Sequence, residues 1–291
     1  MKNIEIKVLG SPEELRQVED LQTLVWGGND VVPAHLMKAS VDSGGLVLGA
    51  YKKKEMLGFA FGFVGLHDYD GETGIKHCSH MLAVHPEFQS SGIGFVLKQA
   101  QWKVIRKQGL ELITWTYDPL ESKNAKLNIA KLGAIARTYK KEYYGQMKDQ
   151  LNTGYPSDRF LVEWWLNSQR ALMRLGQRSK PLSLAHYLSG KTEIINTVEW
   201  DSDGFPVPHQ DRMDKLENKE TQPKLVMFQI PADIQSIKNT NRELAHEWRM
   251  YSRLIFELFF NHGYIITDFV HQSGNQAAGY YVFSHGDIKL G

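Results

Sequence analysis

One stretch narrows the folds open to this chain more than any other: residues 77–109, HCSHMLAVHPEFQSSGIGFVLKQAQWKVIRKQG. Cys78 to Val84 reads as a strand and Pro86 announces a turn. Gln89-Ser90-Ser91-Gly92-Ile93-Gly94 then leads into a long helical segment that stops at Gly109. Glycines at a loop-to-helix junction let backbone N–H groups approach a ligand, and the unpaired N–H groups of a first helical turn favour a negative group. The stretch is therefore expected to hold a phosphate.

Several nucleotides are held by Gly-x-Gly loops. A P-loop needs Lys-Ser or Lys-Thr after its last glycine, and none follows Gly94; a dinucleotide fingerprint needs a third glycine where Leu97 stands. The hydrophobic strand, Val84-His85-Pro86, the Q-x-x-G-x-G run from Gln89 to Gly94 and the helix behind it instead resemble the acyl-CoA signature of the GNAT acyltransferase superfamily. The segments DPLESKNAKLNIAKLGAIARTY, Trp26-Gly27 before VVPAHL, PSDRFLVEWWL and LAHEWRMYSRLIFE further resemble a less-studied GNAT subgroup of acyltransferases, some of them associated with N-succinylation of amino acids.

In chain order, Ile4 to Val8 alternates as a strand, and Ser11-Pro12-Glu13-Glu14 opens a helix with a capping box. Its apolar residues Leu15, Val18, Leu21 and Val25 fall three or four apart, and Trp26 to Asp30 ends it. A second helix is expected over 33–43, a hairpin over 45–51 and 56–64, and a polar loop over 67–76. After the organising stretch come a strand to Tyr117, a helix over 123–132, and strands over 134–139 and 160–166. This is the element order of a GNAT domain.

The fold class expected is therefore α/β: a GNAT fold with a central splayed mixed sheet and a smaller C-terminal α/β domain. The length of 291 residues suits two domains, given about 100–200 residues for each. The boundaries are drawn at 1–168 for the acyl-CoA-binding domain, 169–190 for a connector with at most one short helix, and 191–291 for a domain that echoes half a GNAT sheet. In that last domain a loop is expected over 201–221, strands over 224–230, 264–270 and 279–283, and a helix over 241–261.

With 34 Lys+Arg against 33 Asp+Glu the chain has no field that would draw nucleic acid or an anionic membrane. Cys78 is the one cysteine, no apolar run reaches membrane-spanning length, and the first ten residues lack a signal-peptide core, so a cytoplasmic protein is expected. His77, His80 and His85 lie close together, but strand alternation separates their faces and no metal site is expected.

Transfer from a thioester to an amine requires a grip on the acyl-CoA, polarisation of its carbonyl, a base for the amine and a proton for the thiolate. The grip falls on the N–H groups of Ser90, Ser91, Gly92, Ile93 and Gly94 with the Gln89 side chain, and the resemblance implies main-chain donors at Leu82, Ala83 and Val84. His80, Asp118 and Tyr117 are the catalytic candidates; a core histidine and a turn-setting aspartate are the competing readings for the first two. The family places a tyrosine in the helix after the fifth strand, where this chain has Ile129.

Asn124 and Asn128 stand four apart, as on one helical face, and could bond the pantetheine amides. The resemblance implies acetyl-CoA or another acyl-CoA such as succinyl-CoA as co-substrate and a small amine, an amino acid, as acceptor; a homodimer is compatible with it. Arg159 and the pair Arg249 and Arg253 are candidates for the acceptor carboxylate, with structural ion pairing, for instance with Glu243, Glu247 or Glu257, as the competing reading, and Trp26 is a candidate for the acceptor pocket. A non-catalytic acyl-CoA-binding or regulatory module and a protein-lysine acetyltransferase are the alternatives.

Overall fold

The computed structural model describes residues 4–27, 31–69, 71–145, 154–176, 181–209 and 223–286. Residues 28–30 of the expected helix stop, 177–180 of the connector and 210–221 of the expected loop lie outside the described residues. The chain forms two compact units, one built from Met1–Trp115 and Glu163–Asn167, the other from Thr116–Gln146, Tyr155–Val162 and Ser168–Gly291.

The first unit begins with β1 (Glu5–Val8) and α1 (Pro12–Trp26). Ser11 caps α1 as its spacing requires: its hydroxyl accepts from Glu14 N at 3.3 Å, and the Glu14 carboxylate accepts from Ser11 N at 3.0 Å and Gly10 N at 3.1 Å. Such caps contribute about 1 kcal/mol, and these backbone donors hold the Glu14 carboxyl below its usual range. Leu15, Val18 and Leu21 are buried as the helical period demands, and so is Gln22. The Gln22 amide bonds both main-chain groups of Val32, at 2.8 and 3.1 Å, and so fixes the approach to α2 (Ala34–Asp42).

Strands β2 (Leu46–Lys52), β3 (Glu55–Tyr69), β4 (Glu72–Val84) and β5 (Leu112–Tyr117) follow, with α3 (Ile93–Lys107) between the last two. In this unit the strand order is β1-β2-β3-β4-β5, antiparallel except for the parallel β4–β5 pair, whose chain direction α3 makes possible. Leu9, Val18, Met37, Val47 and Phe59 form the core beneath α1 and α2, each fully buried.

The loop expected over 67–76 is instead the outer end of a long hairpin, with Leu66 opposite Ile75, His67 opposite Gly74 and Tyr69 opposite Glu72. One face of this ribbon is exposed and the other, with His67 and Tyr69 against Trp165, only half-buried and itself polar, so no hydrophobic alternation marks it and it reads as loop. The informative signal was Asp70-Gly71, a hairpin-turn dipeptide. Gly71 has a φ of +80°, and a side chain at Gly74 would stand 2.4 Å from the His67 ring that covers it.

The second unit holds α4 (Ser122–Ala125), which passes into a π-helical segment over Lys126–Lys131, then β6 (Ile135–Lys140), β7 (Arg159–Trp165), α5 (Gln169–Leu175) and α6 (Leu184–Ser189). Three short strands follow, β8 (Glu193–Ile194), β9 (Thr197–Trp200) and β10 (Pro206–His209), and then β11 (Leu225–Pro231). A short helix Ile234–Thr240, the long helix Arg242–Asn261, β12 (Ile265–Gln272) and β13 (Ala278–Ser284) complete it. Beyond β7 the strand order is β6-β12-β13-β11-β8, while β9 and β10 form a separate ribbon.

Three expectations are corrected here. The connector carries two helices rather than one, and the helix over 123–132 is mostly π-helical. The stretch after Asp201 is a hairpin: the Asp201 carboxylate accepts from Asp203 N at 3.0 Å and Phe205 N at 2.7 Å, making the turn, and Pro206 and Pro208 are tolerated because β10 has a partner on one side only. The late strands and long helix fall where their periodicity places them. Asn241 caps that helix at Leu244 N, 3.0 Å away, its inward stripe of Leu244, Trp248, Ile255, Phe256 and Phe259 is buried, and Phe256 packs edge-on against Phe160 and Tyr281 while Phe259 stacks on Phe283.

Candidate functional site

In the first unit, β4 and β5 are paired at only two positions, His77 with Ile113 and Cys78 with Thr114. Directly after them β4 carries a bulge: Gly62 faces Ser79 and Phe61 faces Met81, so His80 is an extra residue. A bulge bends its strand and raises its twist. From Ser79 to Val84, β4 therefore has β3 on one side and no ladder to β5 on the other.

The chain leaves β4 through a bond from His85 N to Leu57 O at 2.8 Å and a single 3-10 turn, Pro86–Phe88. Ser90 (φ 60°) and Gly92 (φ 87°) then take left-handed conformations that reverse it into α3. Ile93 and Leu97 anchor the helix start on β3, where Gly58 is needed: a side chain there would meet Ala83 O at 2.7 Å and Ile93 at 3.2 Å. Gln89, Ser90 and Ser91 are exposed, and Gly92 and Gly94 half-exposed. The start of α3 thus lies beneath an exposed loop at the end of the strand that has parted from its neighbour, with Gly92 and Gly94 half-exposed and Ile93 buried, an arrangement able to take an anionic group.

On the α3 side of the parting lies a buried polar cluster. Lys98 Nζ donates to Ser79 Oγ at 2.8 Å and Gln101 Oε1 at 3.2 Å, and lies 3.8 Å from the centre of the Trp115 ring. Gln101 Nε2 is 3.1 Å from His77 Nε2, which makes that nitrogen the acceptor and leaves the His77 proton on Nδ1, where it has no partner among the described residues. Burial pushes Lys98 down to about 7, and burial together with the Lys98 charge pushes His77 down to about 3. Room for the His77 ring comes from Gly62, whose added side chain would stand 2.2 Å from His77 Nε2. Sequence reasoning missed this cluster, although Lys98 and Gln101 occupy the inward face of α3 with Ile93, Leu97 and Ile105; a charge on the apolar face of a helix was the available signal.

His80 points to the other side of the sheet. Its ring lies 6.0 Å from Phe61 and 5.8 Å from Phe63, at the edge of a cavity of about 460 Å³ shared with Val32, Leu36 and Ala39. The ring reaches solvent, yet desolvation by its neighbours lowers its pKa and keeps it neutral, hence proton-accepting, below the usual histidine range. Trp26 does not join this cavity; it packs edge-on against Phe59 at 6.1 Å in the core.

The other expected residues belong to the second unit. Tyr117 is buried with its hydroxyl 3.0 Å from that of Tyr281, which itself donates to Pro119 O at 2.7 Å, and burial drives the Tyr117 pKa far up. Asp118 is also buried: both its oxygens accept from Arg249 Nη2, at 2.6 and 2.5 Å, and Oδ1 accepts from Leu120 N at 2.9 Å. Burial raises its pKa, but Arg249 and then Lys238 outweigh this and hold the carboxyl below its usual range. A carboxylate so committed is a poor base, so the turn-setting reading prevails over the catalytic one.

Asn124 is exposed and Asn128 buried, because the π-helical segment between them breaks the four-residue face they were expected to share. Ile129, where the resemblance implies a tyrosine, is fully buried. Arg159 is buried beside Tyr144 and donates to Asp158 O. Arg253 forks onto Asp158 at 2.8 Å through two nitrogens, so the ion pairs of Arg249 and Arg253 go to Asp118 and Asp158 rather than to the nearby helix glutamates. Among the described residues no His, Cys, Asp or Glu group has the geometry of a metal site, and no helix is long and apolar enough to cross a membrane.

No protein-family model and no curated protein sequence matches the chain. Solved structures do resemble it. An Escherichia coli N-acetyltransferase of a ribosomal-protein alanine aligns over 56% of this chain and 94% of its own at 15% identity, TM-score 0.45. A chain of the NatC complex bound to Gag peptide and CoA aligns over 56% of this chain and 98% of its own at 16% identity, TM-score 0.44. An acetyltransferase from Salmonella typhimurium with acetyl-CoA aligns over 57% and 95% at 14% identity, TM-score 0.43.

Proposed function

We propose that the chain is an acyl-CoA-dependent N-acyltransferase of the GNAT type acting on a small primary amine, with an amino acid as the favoured acceptor. The observation that carries this reading is the bulge at His80, placed directly after the last β4–β5 pair on the strand whose far end delivers the chain to the Gly92 loop and α3. In this reading the loop N–H groups from Ser90 to Gly94, with Gln89, hold the diphosphate, and the main-chain donors of Leu82 and Val84 face the pantetheine and thioester, while that of Ala83, two residues before the His85 N–H that bonds β3, is directed to β3 rather than to the gap.

His80 is the base we favour, since its ring is neutral, solvent-accessible and set at the mouth of a cavity that could admit an amine. Acetyl-CoA and succinyl-CoA are the donors to compare. Residues 1–168 would bind the acyl-CoA and residues 191–291 form a degenerate GNAT-like half, in a cytoplasmic enzyme. One observation favours a second reading, a non-catalytic acyl-CoA-binding regulator: a buried Ile129 stands where the GNAT resemblance implies a tyrosine to protonate the thiolate.

Calorimetry with CoA and a thiol-release assay with both donors, a panel of amino acids and a lysine peptide separate the readings. Turnover on amino acids supports the first; CoA binding without turnover on any amine supports the second. Turnover on the peptide alone indicates a protein-lysine acetyltransferase. Failure of wild-type protein to bind CoA, or unchanged binding by Gly92→Val, overturns the reading of the loop.

A further inference from the structure

The second unit buries more positive charge around Asp118 than that carboxylate neutralises. The Arg249 side chain is completely buried and that of Lys238 is 9% exposed, with Lys238 Nζ 3.9 Å from Asp118 Oδ2. Arg249 spends only Nη2 on Asp118, so Nε and Nη1, together with Lys238 Nζ, have no hydrogen-bond partner among the described residues. Both cations lie against the Tyr155 ring, at 4.2 Å for Lys238 and 5.1 Å for Arg249. The Tyr155 hydroxyl donates to Ala245 O and lies near enough to Arg249 to feel its charge.

The other carboxyl groups in reach do not restore the balance: Asp158, which also feels the Arg249 charge, is forked by Arg253. Glu121 accepts from Gln235 Nε2, and burial followed by the Asp118 charge pushes its pKa up, toward the neutral form. Leaving buried cations short of a counter-charge is strongly destabilising, and buried N–H donors without acceptors add to that. A planar anion with two oxygens meets both needs, because it can take an unused guanidinium donor and the ammonium together.

We propose that this cluster is a binding site for a small carboxylate, seated against Arg249 and Lys238 beside the Tyr155 ring. The site lies within the second unit and is independent of acyl transfer, so it stands or falls apart from the reading of the Gly92 loop. Asp118 holds Arg249 and Lys238 close together, and the incoming carboxylate shares them with it.

The test uses the full chain and sodium acetate as probe, with sodium chloride at equal ionic strength as control, followed by thermal unfolding and calorimetry. Acetate is expected to raise the melting temperature saturably beyond chloride, and Lys238→Met to bind it about tenfold more weakly or worse, the loss of one charge-assisted hydrogen bond. Asp118→Asn removes the competing anion and is expected to bind acetate more tightly than wild type. Equal effects of acetate and chloride, or undiminished acetate binding by Lys238→Met, overturn the proposal. If Asp118→Asn does not fold without added anion, recovery of its folded signal by acetate but not chloride supports the site, and recovery by neither counts against it.

Discussion

Replacing Lys98 with methionine keeps most of the side-chain volume while deleting a buried ammonium, and the consequence should be read in the pH dependence of stability. Folding moves this amine from the ordinary lysine value of 10.5 to about 7. Between those two values the unfolded chain holds the proton and the folded one does not, so stability rises with pH across that window. The contribution is complete above 10.5 and is lost as pH falls to about 7. At about 1.36 kcal/mol per pH unit the ceiling is about 5 kcal/mol, and between pH ~6 and pH ~9 wild type should gain about 2–3 kcal/mol from this group alone.

Lys98→Met lacks that gain. Its Ser79 and Gln101 partners still bond each other at 3.1 Å, so the variant leaves no new unsatisfied pair there. Urea unfolding of both proteins at several pH values gives the difference directly. The variant should be relatively most stable in acid and lose its advantage steadily toward pH ~9, with the m-values unchanged. A stability difference between the two proteins that stays constant to within about 0.5 kcal/mol over this range would refute the account, showing that the ammonium reaches water or an anion in the folded state.

The same cluster gives an acid-side prediction. His77 is pushed down to about 3 from 6.5, so the stability it confers by staying neutral disappears as pH falls through that interval, and His77→Asn should unfold less steeply in acid than wild type. Gly62→Ala forces a methyl to within 2.2 Å of His77 Nε2 and 2.5 Å of Cys78 O; a loss of about 2 kcal/mol or more in chemical denaturation is expected, and a loss below about 0.5 kcal/mol would contradict the packing described. If His80 is the base, the acidic limb of kcat/KM should lie below the ordinary histidine range, as its lowered pKa requires. His80→Ala should then cost about a hundredfold in rate with CoA affinity retained, and an unchanged rate would remove His80 from the mechanism.

Local rules written into short stretches were legible in advance. The Ser11–Glu14 capping box, the inward spacing of Leu15, Val18 and Leu21, and the strand, loop and helix around Gly92 all appear where residue type and spacing place them. Each is a contest decided within a few residues, by a cap, a period or a backbone angle only glycine takes easily. The β3–β4 hairpin was obscured because its outer half has no buried face. The expected face shared by Asn124 and Asn128 failed because the chain turns π-helical at Lys126.

What the sequence determined by itself was the order of elements as far as β5 and the loop that leads into α3. Tertiary structure decided which charges are buried and with whom: Asp118 meets Arg249 from 131 positions away, and Lys98 meets Ser79 and Trp115 from neighbouring strands. Spacing along the chain could not show these pairings, because the strength of a charge depends on the water removed from around it, and only packing removes that water.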